Sequence, residues 1–153
     1  MRDLKEEIKS ISICFPCYND YHTIGSLVIT AAQVASQFVD DYEVIVVNDG
    51  STDSSHELLE TLHNLCPNLR VINHVVNQGY GATLRDAFNA ATKQWIFYTD
   101  GDGQYDVREL ANLIDQVKEN VDIVNGYKIT RRDPLYRILI GHAYNWVNKL
   151  LFG

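Results

Sequence analysis

The fold is decided by residues 42–53, which read YEVIVVNDGSTD. The first half of this stretch is a short apolar run rich in β-branched side chains, which is typical of a buried strand. The second half is polar and holds Asn, Asp, Ser and Thr, the residues that favour the start of a helix. Leucines at helical spacing follow at positions 58–65. The stretch therefore predicts a strand, a polar loop and a helix in succession.

The same succession recurs along the chain. Apolar runs that predict four further strands lie at residues 11–15, 69–75, 95–99 and 121–125. Helical patterns of apolar residues lie at 24–38, 87–91, 110–117 and 135–152. Such alternation with short connections is typical of the α/β class, in which a mostly parallel sheet carries helices on both faces. We therefore predict that fold for the chain.

Composition narrows the class of protein. The 153 residues are 46% hydrophobic and 22% charged, which is close to the averages of soluble globular proteins. The net charge of -7 argues against a nucleic-acid partner, and three cysteines cannot all pair in a secreted disulfide scaffold. The N-terminus is charged, and no apolar run reaches the roughly 18 residues of a membrane span. We expect one soluble, cytoplasmic domain over residues 1–153, truncated at its C-terminus because the last helical pattern reaches Gly153 without a stop signal.

Polar segments follow the predicted strands. Ligands of open parallel sheets bind outside the carboxyl ends of the strands, so a site is expected in these segments. They lie at residues 16–20, 48–53, 77–81 and 99–106, and the fifth predicted strand is followed by a basic run with Lys128, Arg131, Arg132 and Arg137. The basic run would neutralise phosphate charge, unless it is only the solvated start of a helix.

An acidic pair follows the fourth predicted strand. Asp100 and Asp102 are separated by Gly101, so both carboxylates can reach one side of a turn. Held that close, they repel each other unless a cation lies between them. With the Gln104 carbonyl they form a set of hard oxygen ligands that suits Mg²⁺ or Mn²⁺, and these ions favour a diphosphate. The alternative is that Asp and Gly only build a turn.

Two residues are candidates for base recognition. Asp49 lies near a strand end and could accept a hydrogen bond from a nucleobase imino N–H, while Tyr18 could stack on the base. The segment around Asp49 would equally cap a helix, and we expect Asp53 to do only that.

Three further features of the sequence give only weak evidence of a functional site. Gly79 and Gly81 begin a dinucleotide-binding fingerprint, but Leu84 takes the place of its third glycine. Cys14 and Cys17 have the spacing of a redox dithiol, but Cys14 lies inside a predicted strand rather than at a helix N-terminus. The histidines are scattered, and we assign them surface or packing roles.

Four motifs together resemble those of one protein family. They are the segments 16–20 and 48–53, Asn77 with Gly79 and Gly81, and residues 100–104. In their order and spacing they are similar to the inverting glycosyltransferases of family 2, with the dolichyl- or polyprenyl-phosphate sugar synthases as the most similar branch. The resemblance implies a GT-A fold, a Rossmann-like domain that binds a UDP- or GDP-sugar, here with a role in cell-envelope glycan synthesis.

The resemblance also implies roles for individual residues. The implied nucleotide-binding residues are Pro16, Tyr18, Asp20, Val47, Asp49, Asp100 and Gly101. The implied metal ligands are Asp100, Asp102 and Gln104, with Asp102 as the catalytic residue. Contacts to the diphosphate or the acceptor phosphate would come from Lys128, Arg131 and Arg137.

The implied acceptor is a lipid phosphate or a glycan, and a missing C-terminal part would associate peripherally with the cytoplasmic face of a membrane. Asp20 stands where the family usually has Glu, and Asn48 replaces the first of two acids, so the preferred nucleotide stays open. Two other functions compete with the transferase. One is a catalytically silent nucleotide-binding fragment, and the other is a phosphohydrolase with Asp100 as nucleophile and Asp102 as acid.

Overall fold

Four parallel strands form the sheet of the computed structural model, which describes residues 8–126 and 135–152. The strands are β1 (Ser10–Cys17), β2 (Asp41–Asp49), β3 (Leu69–His74) and β4 (Trp95–Tyr98). The helices are α1 (Tyr21–Phe38), α2 (Ser55–Leu65), α3 (Tyr80–Ala90), α4 (Leu110–Ile114) and α5 (Leu135–Phe152), and a 3₁₀ turn at Val107–Glu109 precedes α4. The predicted α/β class is confirmed.

Helices cover both faces of the sheet. Side chains alternate along β1 and β2, so one face carries Ile13, Phe15 and Val44, which belong to a core cluster shared with α1, α2 and α4. The opposite face carries Cys14, Ile45 and Val47, which cluster with Ala87 of α3. Both central strands are buried between helices, as expected of a parallel sheet.

The strand order is β3-β2-β1-β4. The chain first adds strands on one side of β1 and then crosses to the other side to form β4. The order therefore reverses beside β1, and in open α/β sheets such a reversal opens a crevice at the carboxyl ends of the strands. The segments after β1 and β4 border this crevice.

A buried carboxylate locks the opposite end of the sheet. Glu43 accepts hydrogen bonds from the Ser12 hydroxyl at 2.7 Å, the Thr92 N–H at 2.7 Å and Arg70 Nη1 at 2.7 Å. Burial by itself would raise the pKa of Glu43, but these donors lower it from 4.5 to about 2. The ionised side chain thus ties β1, β2, β3 and the segment before β4 together.

The prediction of a fifth strand at residues 121–125 is wrong, because these residues form no ladder in the described chain. Val124 packs against the core, whereas Ile123 is 83% exposed. A short apolar run has strand propensity, but it becomes a strand only where a neighbouring edge pairs with it.

The last helix carries a mostly exposed apolar surface. Helix α5 has the bounds that the sequence predicts, and the side chains of Ile140, Tyr144, Trp146 and Leu150 are exposed. Within the two described ranges, no helix combines the length and apolarity that a bilayer crossing requires.

Candidate functional site

A cavity of about 390 Å³ opens at the carboxyl ends of β1, β2 and β4. Four parts of the chain line it. They are the end of β1 with the residues after it (Pro16, Cys17, Tyr18 and Asp20), the end of β2 (Asp49), the segment before α3 with the start of that helix (Asn77, Gly79, Tyr80 and Thr83), and the segment after β4 (Asp100, Gly101 and Asp102). The cavity lies at the crevice that the strand order creates, and its size suits a small molecule.

The cavity brings together most of the residues singled out in the sequence. Those that line it are Pro16, Tyr18, Asp20, Asp49, Asp100, Gly101 and Asp102. Val47 does not, because its side chain is fully buried in the cluster between the sheet and α3. Gln104 is also absent from the lining. Lys128, Arg131 and Arg132 lie outside the described residues, and Arg137 lies in α5 with an undescribed side chain.

Gly101 allows two loops to touch. A Cβ atom at this position would lie 2.4 Å from the carbonyl oxygen of Pro16 and 3.3 Å from Asp20 Oδ2. The Thr23 hydroxyl also donates a 2.8 Å hydrogen bond to the carbonyl of Gly101. The glycine between the two acids is therefore required by the close approach of the loops after β1 and β4, which brings Asp100 and Asp102 beside Asp20.

The cavity concentrates negative charge. Burial raises the pKa of Asp20, and the charges of Asp102, Asp53 and Asp100 raise it further, against a hydrogen bond of 3.0 Å donated by the Tyr18 N–H. Four of the lining residues are aspartates, and no described lining residue is Lys, Arg or His. These carboxylates repel an anion at short range, and a cation beside the anion would offset that repulsion.

The loop after β4 supplies carboxylate oxygens that can ligate a cation. One of these oxygens also accepts a hydrogen bond from the backbone of the loop. The Gln104 N–H donates to Asp102 Oδ1 at 2.9 Å, which closes an Asx turn. Asp100 Oδ1 accepts a hydrogen bond from the Tyr80 hydroxyl. In the part of the chain that is described, no three His, Cys, Asp or Glu side chains converge closely enough to form a metal site. The ligand set of Asp100, Asp102 and Gln104 therefore stays a prediction.

Asp49 is a buried acid at the end of β2. Its Oδ1 accepts from the Gln78 N–H at 2.8 Å, and its Oδ2 accepts from the Gly79 N–H at 2.9 Å. Burial would raise its pKa, but these donors together with His74 lower it below the ordinary value. Asp49 does not cap a helix. It fastens the loop before α3 to the sheet while facing the cavity.

Asp53 has the capping role that the sequence predicts. Its Oδ1 accepts from the Ser55 N–H at 3.0 Å at the start of α2, and its Oδ2 accepts from the Tyr21 N–H at 3.1 Å. One carboxylate thus serves the N-termini of two helices.

The prediction that every histidine has a surface or packing role misses one residue, His74. Its Nδ1 lies 2.6 Å from Asp49 Oδ1, and its Nε2 lies 3.0 Å from Asp86 Oδ2. The side chain is 5% exposed. Asp49 and His74 are register partners across β2 and β3, and that pairing is a tertiary fact with no signal in the local sequence.

The cysteines do not support redox chemistry. Burial, followed by the charge of Glu43, raises the pKa of Cys14 to about 12. Burial, followed by the charge of Asp20, raises the pKa of Cys17 to about 11. Redox dithiols need a thiol with a lowered pKa, so both groups behave as packing residues.

Comparison with known families identifies the class of protein. Residues 12–149 match the family model for Glycosyl transferase family 2. The chain belongs to that family. It is 32% identical over 152 residues to an undecaprenyl-phosphate 4-deoxy-4-formamido-L-arabinose transferase of Yersinia pestis and, to the same extent, to that of Yersinia pseudotuberculosis. Each alignment covers 98% of this chain and 46% of the relative, so the chain spans about half the length of these curated relatives.

Solved structures confirm the GT-A type of fold. The chain matches S. aureus TarS residues 1–349 with a TM-score of 0.53 and 26% identity, over 69% of this chain and 32% of TarS. It also matches the mannosyltransferase PcManGT of Pyrobaculum calidifontis, which was solved with GDP-Man and Mn²⁺. The TM-score is 0.54 and the identity 24%, over 68% of this chain and 31% of PcManGT. Family membership and the position of Asp100 after the fourth strand leave the phosphohydrolase hypothesis without support.

Proposed function

We propose that this chain forms the donor-binding part of a metal-dependent inverting glycosyltransferase, which moves a sugar from a nucleoside-diphosphate sugar to a polyprenyl phosphate. The observation that carries the proposal is the cavity at the β1–β4 crevice, whose described lining has four aspartates and no cationic side chain. A diphosphate is strongly repelled by such a lining unless a divalent cation accompanies it.

The donor nucleotide is assigned to the part of the cavity near β1 and β2. Tyr18 is 48% exposed at the rim, so its ring is available to stack on a base. Asp49 faces the cavity, and its Oδ2 has one intramolecular donor, which leaves an acceptor position for a base N–H. TarS residues 1–349, at 26% identity, have been solved with UDP-GlcNAc, and this supports a nucleotide sugar as the ligand class.

The diphosphate is assigned to the acidic loop after β4. Asp100 and Asp102 offer hard oxygen donors, which suit Mg²⁺ or Mn²⁺. When bound, the cation would neutralise charge that develops on the departing nucleoside diphosphate. The aspartates would orient the donor, and Gly101 would keep its backbone pressed against Pro16 so that both carboxylates stay inside the cavity.

The acceptor is assigned from the relatives. The curated relatives are named as undecaprenyl-phosphate transferases, which supports a polyprenyl phosphate as the acceptor class. A phosphate oxygen is already anionic, so it can attack the anomeric carbon with inversion without a general base. Lys128, Arg131 and Arg137 would contact the acceptor phosphate or the diphosphate, and the reaction would take place at the cytoplasmic face of a membrane.

A thermal-shift screen followed by a transfer assay tests the proposal. UDP- and GDP-sugars are each tested with and without Mn²⁺. The nucleotide sugar that the chain binds should raise the melting temperature of the wild type when Mn²⁺ is present, because a ligand that binds the native state stabilises it. Transfer to a polyprenyl phosphate is then measured on the same chain. Cation-dependent binding without transfer would indicate a catalytically silent fragment, and the absence of any cation-dependent shift would contradict the proposal.

A further inference from the structure

His74 is a buried imidazole clamped between two carboxylates from different elements. It ends β3, its partner Asp49 ends β2, and its second partner Asp86 lies in α3. The side chains of His74 and Asp49 are 5% and 4% exposed, whereas that of Asp86 is 35% exposed. The three groups form one chain of hydrogen bonds from the outside of α3 to the wall of the cavity.

The imidazole bridges the two carboxylates through its two ring nitrogens. Nδ1 lies within hydrogen-bond distance of Asp49, and Nε2 lies within hydrogen-bond distance of Asp86. The two contacts from opposite sides define the orientation of the ring. Asp86 holds the ring in this orientation from the far side.

Asp49 in turn holds the loop that begins α3. The N–H groups of Gln78 and Gly79 both donate to its carboxylate. Gly79 lies in the left-handed region with φ +90°, and both Asn77 and Gly79 line the cavity. Any rotation of the Asp49 carboxylate would therefore move cavity-lining backbone as well as the acceptor that faces the ligand.

We propose that His74 and Asp86 are positioning residues for the donor nucleotide. They orient the Asp49 carboxylate and, through it, the loop at residues 77–79. This inference rests on the proposed function, since it takes a nucleotide as the ligand of the cavity. Neither His74 nor Asp86 is a lining residue, so both act through Asp49.

Substitution of Asp86 separates positioning from a purely structural role. Asp86→Ala removes the acceptor for His74 Nε2 while favouring the helix, because Ala is the best helix former. Asp86→Asn keeps an acceptor oxygen of similar reach and serves as the conservative rescue. Glu60→Ala is the matched control, because it removes a helical carboxylate from the exposed His56–Glu60 pair at 3.4 Å.

The readouts are nucleotide-sugar affinity in the presence of Mn²⁺, measured well below the melting temperature, and the NMR shifts of the Gln78 and Gly79 amides. We expect Asp86→Ala to weaken binding about tenfold and to shift both amide protons upfield. Asp86→Asn should keep most of the wild-type affinity. Glu60→Ala should bind as the wild type does, with unchanged amide shifts. If the wild type binds the nucleotide sugar and folded Asp86→Ala has the same affinity and the same amide shifts, this inference is overturned. The proposed function would not be affected by that result. Absence of nucleotide binding by the wild-type chain would instead overturn the proposed function.

Discussion

The Tyr80 hydroxyl donates a hydrogen bond of 2.8 Å to Asp100 Oδ1 and so joins the first residue of α3 to the loop after β4. Burial and the bond to Asp100 raise the pKa of Tyr80, so the phenol keeps its proton and stays a donor at neutral pH. The bond fixes one oxygen of Asp100 inside the cavity. The acidic loop is thereby positioned by Tyr80, a residue that the sequence alone did not single out.

Tyr80→Phe should weaken cation-dependent binding of the nucleotide sugar by about three- to tenfold, because Asp100 loses the donor that orients it. Stability should change little, since Tyr80 is 54% exposed. Calorimetric titration in the presence of Mn²⁺ measures the effect. Tyr21→Phe is the control, because Tyr21 is 42% exposed and is not a lining residue. Equal affinities in the two variants would contradict the role given to the Tyr80 hydroxyl.

Gly101→Ala should disturb both the site and the fold. The added methyl group would meet the Pro16 carbonyl at 2.4 Å, so one of the two loops must move. We expect a loss of about 1–3 kcal/mol in the free energy of unfolding, measured by urea denaturation, together with weaker nucleotide binding.

Gly81→Ala is the matched control for that substitution. A Cβ atom at Gly81 meets nothing within 4 Å, and its backbone is not in the left-handed region. Its stability should be unchanged or raised by up to about 1 kcal/mol. Similar behaviour of the two alanine variants would show that the close approach of the loops is unimportant.

Glu43 should make stability depend on pH in the acid range. Its pKa is lowered in the folded state from 4.5 to about 2, so the native protein holds the ionised form more tightly than the unfolded chain does. Its contribution is complete above the unfolded pKa and is lost as the pH falls through the folded one, and it amounts to about 3 kcal/mol.

Urea denaturation of Glu43→Gln as a function of pH checks this contribution. The variant should be less stable than the wild type near neutral pH, and the difference should shrink towards a pH of about 2. Asp41→Asn is the control, because Asp41 forms an exposed pair with Lys93, and such pairs contribute at most about 1 kcal/mol. A constant difference between Glu43→Gln and the wild type at every pH would refute the assignment.

Much of the fold follows from local sequence. Four of the five predicted strands are confirmed, because each is a short apolar, β-rich run that pairs with a neighbouring strand and has a polar segment after it. The fifth prediction fails since residues 121–125 have the right composition but no strand to pair with in the described chain. Propensity alone does not supply the partner edge.

The site was predictable to the extent that it depends on topology. Parallel strands place their carboxyl ends at one edge, so Tyr18, Asp49 and Asp100 meet in one cavity as expected. Local sequence does not tell which face of the sheet each side chain takes. For that reason the sequence assigned Val47 to the nucleotide, whereas its side chain is buried beneath α3. The contacts of His74 with Asp49 and Asp86 were missed for the same reason.

The central claim is that Asp102 helps to hold a divalent cation on a nucleoside diphosphate. Its most direct test is a calorimetric titration of the wild type and of Asp102→Asn with a nucleotide sugar, each in Mn²⁺ and in a chelator. Mn²⁺ should tighten binding to the wild type at least about tenfold and have a much smaller effect on the folded variant, because a charged carboxylate ligand is replaced by a neutral amide that binds the cation more weakly. Wild-type affinity that is the same with and without Mn²⁺, or an undiminished Mn²⁺ effect in Asp102→Asn, would contradict the account.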